Sequence, residues 1–149
     1  MDPTVTVTDA PSPDALALIG GGLNGHNRDQ AGYWDQRLLA VLVCDPHTGA
    51  VLGGLTGRTS LGLAFIDLVH LPAPLRGRGY GARILQEAEA EARRRGCRAG
   101  VLYTITFQAP EFYARHGWEE FGRVECDPPG TARVFFRKVF APAAGPDGP

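Results

Sequence analysis

Apolar residues recur along this chain with two different periods, and the two periods separate predicted strands from predicted helices. Runs rich in β-branched, aliphatic and aromatic residues predict seven strands, near 4–8, 38–44, 50–58, 61–71, 98–107, 118–124 and 133–140. The turn sequence Asp45-Pro46-His47-Thr48-Gly49 follows the second run. Turns of this kind favour an antiparallel meander in the first half of the chain.

Helical spacing is clearest from about Gly79 to Arg95, a segment followed by Gly96 in the usual position after a helix. Its predicted buried face is Gly81, Ile84, Leu85, Ala88 and Ala92. Two further helices are predicted, one from the N-cap Ser12 to the glycines at 20–22, the other at 110–116. The polar segment 23–36 is either another short helix or a loop.

The order of these elements predicts an α/β (α+β) fold with a mixed sheet, in which one crossover helix joins two parallel strands. No repeat or internal boundary interrupts the pattern. We therefore expect a single domain over residues 1–140, followed by a disordered proline- and glycine-rich tail at 141–149.

Composition narrows the classes of function. The net charge is −1 and the basic residues are scattered, which is unlike a nucleic-acid-binding protein. No apolar run approaches the roughly 18 residues of a membrane-spanning helix. The three cysteines, Cys44, Cys97 and Cys126, are widely spaced, a pattern that predicts neither a disulfide framework nor a metal site and that fits the cytoplasm.

The most informative segment joins the end of a predicted strand to the clearest helix. The residues Arg76-Gly77-Arg78-Gly79-Tyr80-Gly81-Ala82 place three glycines just before and within the first turn of that helix. Glycines let backbone N–H groups approach a ligand, and a helix N-terminus favours a phosphate. The segment lacks the lysine of a P-loop and the spacing of a dinucleotide fingerprint. A glycine-rich turn that only packs the helix on the sheet is the alternative.

At this point the sequence resembles the GNAT superfamily of acyl-CoA N-acyltransferases. Residues 76–81 match its pyrophosphate-binding signature [RQ]xxGx[GA], and residues 112–118 match its second signature, YxxxG[FWY]. The segment 104–113 is similar to the TxxFQAPxFY sequence of small bacterial members. The resemblance implies a mostly antiparallel sheet of six to seven strands with about four helices. It also implies that strands 4 and 5 of the seven predicted here splay apart to admit pantetheine.

The resemblance also implies how acetyl-CoA binds. The backbone of Val69, His70 and Leu71 would bind the pantetheine, and the pyrophosphate would lie on Arg76, Gly77, Arg78, Gly79, Tyr80, Gly81 and Ala82. Gln108 either contacts the pantetheine or satisfies backbone groups of its own loop.

The resemblance implies that Tyr113 is the general acid, because it occupies the position at which the family commonly has a tyrosine in that role. Asp67 lies just before the implied splay, and its carboxylate is either a general base or the partner of an arginine or loop. His70 is a further candidate base, or its side chain points to solvent or core. Many members carry a carboxylate on the fifth strand, where this chain has Tyr103, and a proton path through water is a further alternative.

Taken together, the sequence predicts an acetyl-CoA-dependent N-acetyltransferase that acetylates a primary amine of a small molecule, or of a peptide or protein, in a ternary complex. The predicted partners are acetyl-CoA and that amine, with no metal, nucleic acid or membrane, and the family allows a homodimer. The rival interpretation is a non-catalytic acyl-CoA-binding or sensing module.

Overall fold

The computed structural model describes residues 2–140. Two compact units are distinguished: the first extends to Trp34 and the second begins at Asp35. The first contains one helix, and the second contains the sheet and the other helices. The predicted tail at 141–149 lies outside the described residues.

The first unit contains helix α1, Pro13–Ala31. The Ser12 side chain accepts a hydrogen bond from the Ala15 N–H at 3.1 Å, as predicted for an N-cap. The predicted end at residues 20–22 is wrong, because the helix continues through these glycines to Gly32. Glycine weakens a helix without breaking its hydrogen bonds, and Gly32, with φ of 86°, is the actual left-handed cap.

The predicted strand at 4–8 is also wrong. Residues 2–8 have no regular secondary structure, and the side chains of Val5 and Val7 are almost fully exposed. Alternation of valine and threonine favours an extended chain, but a strand also needs a neighbour with which to pair. The predicted fourth and fifth strands are therefore the third and fourth strands of the sheet.

The second unit is built on one six-stranded sheet. Its strands are β1 (Arg37–Cys44), β2 (Val51–Ser60), β3 (Leu63–His70), β4 (Ala99–Ile105), β5 (Glu119–Cys126) and β6 (Thr131–Val139). Their order across the sheet is β1-β2-β3-β4-β6-β5, and every neighbouring pair is antiparallel except β3 and β4. This confirms the predicted mixed, mostly antiparallel fold with one parallel crossover.

Two α-helices belong to this unit, α2 (Tyr80–Arg94) and α3 (Pro110–Arg115), and a short 3₁₀ helix lies at Ala73–Leu75. Helix α2 connects the parallel strands β3 and β4. Together with α1, the described residues contain three α-helices, against the four that the resemblance implied. None of the described helices is long and apolar enough to cross a membrane.

The hydrophobic core lies between α2 and one face of the sheet. Leu85 on α2 is fully buried, as are Leu55 on β2 and Val134 on β6. Buried and exposed residues alternate along β4 and β6, so the sheet has a core face and an opposite face. The predicted buried positions of α2 are confirmed at Ile84, Leu85, Ala88 and Ala92.

The C-terminal end of α2 is held to the sheet by Arg95. Its guanidinium donates to the Leu38 carbonyl at 3.0 Å and to the Thr59 hydroxyl at 3.1 Å. Glu91 accepts hydrogen bonds from Arg95 and Arg94, and these bonds lower the pKa of the Glu91 carboxyl. The core contacts and this anchor fix the direction in which the N-terminus of α2 points.

Candidate active site

The glycine loop leads directly into the N-terminus of α2. Gly77 and Gly79 have φ of 70° and 86°, the left-handed conformation that glycine adopts without strain. Gly79 is the N-cap and supplies no capping side chain. Because the Arg83 N–H is the donor to the Gly79 carbonyl, at 3.1 Å, the N–H groups of residues 80–82 have no acceptor within the helix. These three donors and the helix dipole can bind an anion.

The two arginines of the loop lie in different surroundings. Arg76 donates from Nε to the Leu71 carbonyl at 2.8 Å, so its side chain ties the loop to the end of β3. The Arg78 guanidinium lies over the Tyr80 ring, 5.5 Å from its centroid. Both residues are exposed, which leaves guanidinium N–H groups available to a ligand.

Strands β3 and β4 separate at the end nearest this loop. Their parallel pairing runs from Leu63–Ala99 to Ile66–Leu102 and then stops. Both strands continue, β3 through residues 67–70 and β4 through residues 103–105. The gap between them matches the splay that the family resemblance implied.

The separated part of β3 keeps its pairing on the other side. Val69 and His70 remain opposite Leu55 and Gly54 of β2. The edge that faces β4 carries backbone N–H and C=O groups with no paired strand in the described structure. Such an edge can hydrogen-bond an extended amide chain, which is what pantetheine offers.

Tyr113 is on the core face, in α3. It is only 8% exposed, and its ring packs against Phe112, Trp118 and Phe136 with centroid distances of 5.2, 6.5 and 5.9 Å. Burial raises the pKa of the Tyr113 hydroxyl, because the phenolate would be poorly solvated. The hydroxyl is protonated at neutral pH, as in an exposed tyrosine, and burial makes it hold its proton more firmly.

Helix α3 also touches the glycine loop. A Cβ atom at Gly81 would lie 3.4 Å from the Phe112 ring and 3.8 Å from the Leu71 side chain. The absence of a side chain at Gly81 therefore lets the first turn of α2 approach α3 closely. This contact joins the predicted anion site to the helix that carries Tyr113.

Asp67 lies at the mouth of the splay. A register shift between Thr56 and Gly57 leaves Asp67 as the extra residue of a β-bulge. Its Oδ1 is 2.6 Å from Nη1 of Arg58, and the Asp67 side chain is 45% exposed. The sequence left open whether Asp67 pairs with an arginine, and the structure shows that pair. The pairing leaves Oδ2 available to water or to a ligand.

Two further residues predicted from the sequence lie at the ends of the separated strands, His70 at the end of β3 and Gln108 just after β4. His70 is exposed at the end of β3. Gln108 accepts hydrogen bonds from the Thr104 hydroxyl at 2.9 Å and the Ile105 N–H at 3.0 Å. Gln108 thus satisfies its own loop, as one interpretation expected, while its amide nitrogen has no partner among the described residues.

An ion pair beside α3 was not predicted from the sequence. Glu89 on α2 is four residues before Arg93, a spacing that favours a pair on the solvent face, but Glu89 is buried and lies 2.6 Å from Nζ of Lys138. The same Nζ donates to the His116 carbonyl at 2.9 Å, just after α3. One signal was available, since Lys138 is the single lysine in a chain that otherwise uses arginine.

In the described part of the chain, no group of three or more histidine, cysteine, aspartate or glutamate side chains could hold a metal ion. The geometry thus comprises a helix N-terminus suited to phosphate, a gap with a free strand edge, and a buried phenol. The phenol lies on the core face of the sheet, whereas Asp67 lies on the opposite face.

Known proteins are similar to this chain in sequence and in fold. The sequence model of the acetyltransferase (GNAT) family matches residues 17–118. An acetyltransferase of Agrobacterium fabrum is 29% identical over 134 residues, which cover 90% of this chain and 97% of the relative. The blasticidin-S acetyltransferase of Streptomyces morookaense is 39% identical over 93 residues, which cover 61% of this chain and 68% of the relative.

A crystal structure of an acetyltransferase from Bacillus cereus superposes with a TM-score of 0.75 at 29% identity, over 91% of this chain and 98% of that one. The similarity thus extends over nearly the whole length of both chains.

Proposed function

Because this chain belongs to the acetyltransferase (GNAT) family, we propose that it transfers an acetyl group from acetyl-CoA to a primary amine of a small molecule. The observation that carries the proposal is the gap between β3 and β4, which opens next to the uncapped N-terminus of α2. Acetyl-CoA has the matching chemistry, since an amide-containing arm follows a pyrophosphate.

On this proposal, acetyl-CoA approaches from the core face of the sheet. The N–H groups of residues 80–82 and the guanidinium groups of Arg76 and Arg78 bind the pyrophosphate. The free edge of β3 at Val69 and His70, with the N–H of Leu71 just after it, binds the pantetheine arm. The same edge supplies N–H donors for the oxyanion that forms when the amine attacks the thioester carbonyl.

Tyr113 acts as the general acid in this scheme. Attack by the amine forms the C–N bond, and collapse of the intermediate breaks the C–S bond, so the leaving thiolate needs a proton. Its hydroxyl carries a proton at neutral pH, and the packing of α3 beside Gly81 supports this role.

The amine must also lose a proton. An alkyl ammonium has a pKa near 10.4, so its neutral form costs about 4.6 kcal/mol at pH 7. Asp67 is the proposed acceptor of that proton, directly or through a water at its free oxygen. His70, exposed at the end of β3, is the second candidate. Asp67 and Tyr113 lie on opposite faces of the sheet, which suits transfer through the gap in a ternary complex.

A small-molecule acceptor is favoured within the enzyme class. One relative, the blasticidin-S acetyltransferase, carries a small-molecule substrate in its name. The net charge of −1 gives no preference for a highly charged acceptor. The free thiols of Cys44, Cys97 and Cys126 fit the proposed cytoplasmic location, and a homodimer stays a prediction.

One observation favours a second candidate function, an acyl-CoA sensor without transfer activity. Asp67 is neutralised by Arg58, and β4 carries Tyr103 where many family members have a carboxylate. A sensor would bind acetyl-CoA and release no thiol with any amine.

Tyr113→Phe tests the enzyme directly. Loss of the acid is expected to lower kcat by about 100-fold while the Kd for acetyl-CoA changes less than threefold, because the ring and its packing remain. Steady-state thiol release gives kcat, and calorimetry gives the Kd. Tyr33→Phe is the matched control for loss of a phenol hydroxyl and should retain full kcat. Equal kcat values for wild type and Tyr113→Phe would remove Tyr113 from the mechanism.

A further inference from the structure

Three aromatic side chains form a continuous patch on the face of the sheet opposite the core. Tyr103, Phe135 and Phe121 come from the neighbouring strands β4, β6 and β5. The Tyr103 and Phe135 ring centroids are 5.5 Å apart, and those of Phe135 and Phe121 are 6.2 Å apart. Tyr103 is 53% exposed and Phe121 is 50% exposed. Single exposed aromatic residues are common, but three in contact expose a surface suited to a ligand.

The patch begins at the mouth of the gap. Leu102 is the last residue of β4 paired with β3, so Tyr103 is the first residue beyond the pairing. Ile66 holds the same position on β3, so Asp67 is the first residue beyond it there. Tyr103 follows the buried Leu102, so its side chain lies on the face away from the core. Asp67 lies on the same face, because it pairs with Arg58, which alternates with the buried residues of β2. Paired strands are about 4.8 Å apart, and Asp67 and Tyr103 are each one residue beyond the last pair, so one small molecule can reach both side chains.

Two opposite charges lie at the inner end of the patch. The carboxylate of Asp67 lies across the gap from Tyr103, with one oxygen paired to Arg58. The Arg133 guanidinium lies over Tyr103 itself, 6.0 Å from the ring centroid. A ligand complementary to this surface has a cationic amine beside Asp67 and a flat apolar ring over the aromatic side chains.

We propose that this aromatic patch binds a planar ring of the acceptor, so that the acceptors are primary amines joined by a short linker to an aromatic or heteroaromatic ring. The amine then lies at Asp67 and the gap, while the ring stacks on Tyr103 and Phe135. The inference rests on the proposed acetyl transfer, and it makes Tyr103 a specificity-determining residue rather than a catalytic one.

A matched pair of amines tests the proposal. The amines 2-phenylethylamine and 2-cyclohexylethylamine share the linker and amino group and differ in the planarity of the ring. For the wild type, kcat/KM is expected to favour the aromatic amine by about 3- to 10-fold, mostly through KM, as aromatic stacking predicts. Tyr103→Leu should bring the ratio close to one, whereas Tyr103→Phe keeps the ring and should keep the ratio. Leu38→Ala, on the same face at the far edge of the sheet, is the control.

Binding separates failure of this inference from failure of the proposed function. Calorimetric titration of both amines into the protein with CoA measures the preference without transfer. Preference in binding with no thiol release would leave the patch inference standing and overturn the transfer reaction. Equal kcat/KM and equal Kd for the two amines would overturn the patch inference. It would also be overturned if sedimentation showed self-association that Tyr103→Leu abolishes, since a second copy would then cover the patch.

Discussion

The proposed phosphate site depends on the backbone angle of one residue, Gly79. With φ of 86°, it caps α2 and turns the following N–H groups outward, and a Cβ there would have no atom within 4 Å. The cost of Gly79→Ala is therefore backbone strain of about 1 kcal/mol, not steric overlap. We expect a Tm lower by about 3 °C. We also expect a Kd for acetyl-CoA at least about tenfold weaker, because the strained loop re-aims its donors.

Gly62, in the turn between β2 and β3, is the matched control for this variant. Its φ is 79°, and a Cβ there would also have no atom within 4 Å. Gly62→Ala should lower the Tm by a similar amount and leave the Kd for acetyl-CoA unchanged. Equal affinity for acetyl-CoA in the two variants would show that the loop at Gly79 does not bind the pyrophosphate.

Tyr113 also makes stability depend on pH in a predictable direction. Burial raises its pKa in the folded state, so between about pH 10 and that higher value the native protein holds a proton that the unfolded chain has lost. The contribution of Tyr113 to the free energy of unfolding is therefore independent of pH below about pH 10. Above that pH the contribution decreases as the pH rises. Denaturant unfolding of wild type and Tyr113→Phe at pH 8, 9 and 10.5 measures this. The decline should be steeper for the wild type, and parallel curves would contradict the burial of this hydroxyl. Cys97, whose pKa burial also raises, is common to both proteins and cancels.

At the scale of elements, α2 and α3 are joined at two places. Near the N-terminus of α2, Phe112 packs on Gly81. Farther along, Glu89 is bound to Lys138, whose Nζ also donates to the carbonyl of His116 at the end of α3. The His116 ring in turn packs on Phe112, with centroids 4.5 Å apart. The helix that carries Tyr113 is thus fixed relative to the helix that carries the glycine loop.

Removing one partner of the buried pair should be costly. Lys138→Met leaves the Glu89 carboxylate buried without its cation, and the expected loss is about 3 kcal/mol in the free energy of unfolding. The double variant Lys138→Met with Glu89→Leu removes both charges and should recover at least half of that loss. Denaturant melts of the wild type, both single variants and the double variant measure the coupling. Additive losses would mean that the two side chains do not interact.

At the scale of the whole molecule, the confirmed predictions are those that rested on strong hydrophobic periodicity. The apolar face of α2 and its glycine-rich start predicted the crossover helix. The apolar runs on either side of it predicted the parallel strands β3 and β4. The strand predicted at 4–8 failed because alternation does not say whether a neighbouring strand exists. The C-terminal end of α1 was predicted too early, because the presence of glycine does not distinguish a weak position inside a helix from a left-handed cap such as Gly32.

The site was predictable only as far as local sequence determines it. The glycine loop is contiguous in sequence, so its geometry followed from its residues. The pairing of Asp67 with Arg58 depends on the register of β2 against β3 and on a one-residue bulge, which spacing along the chain does not reveal. The aromatic patch needs the order β4-β6-β5, in which sequence neighbours are not spatial neighbours.

A calorimetric titration of the purified protein with acetyl-CoA, followed by a thiol-release assay with primary amines, tests the proposed acetyl transfer. We expect one acetyl-CoA to bind per chain and thiol release to depend on the amine. Absence of binding at millimolar acetyl-CoA would contradict the assignment of the glycine loop and the gap between β3 and β4, and with it the proposed transfer reaction.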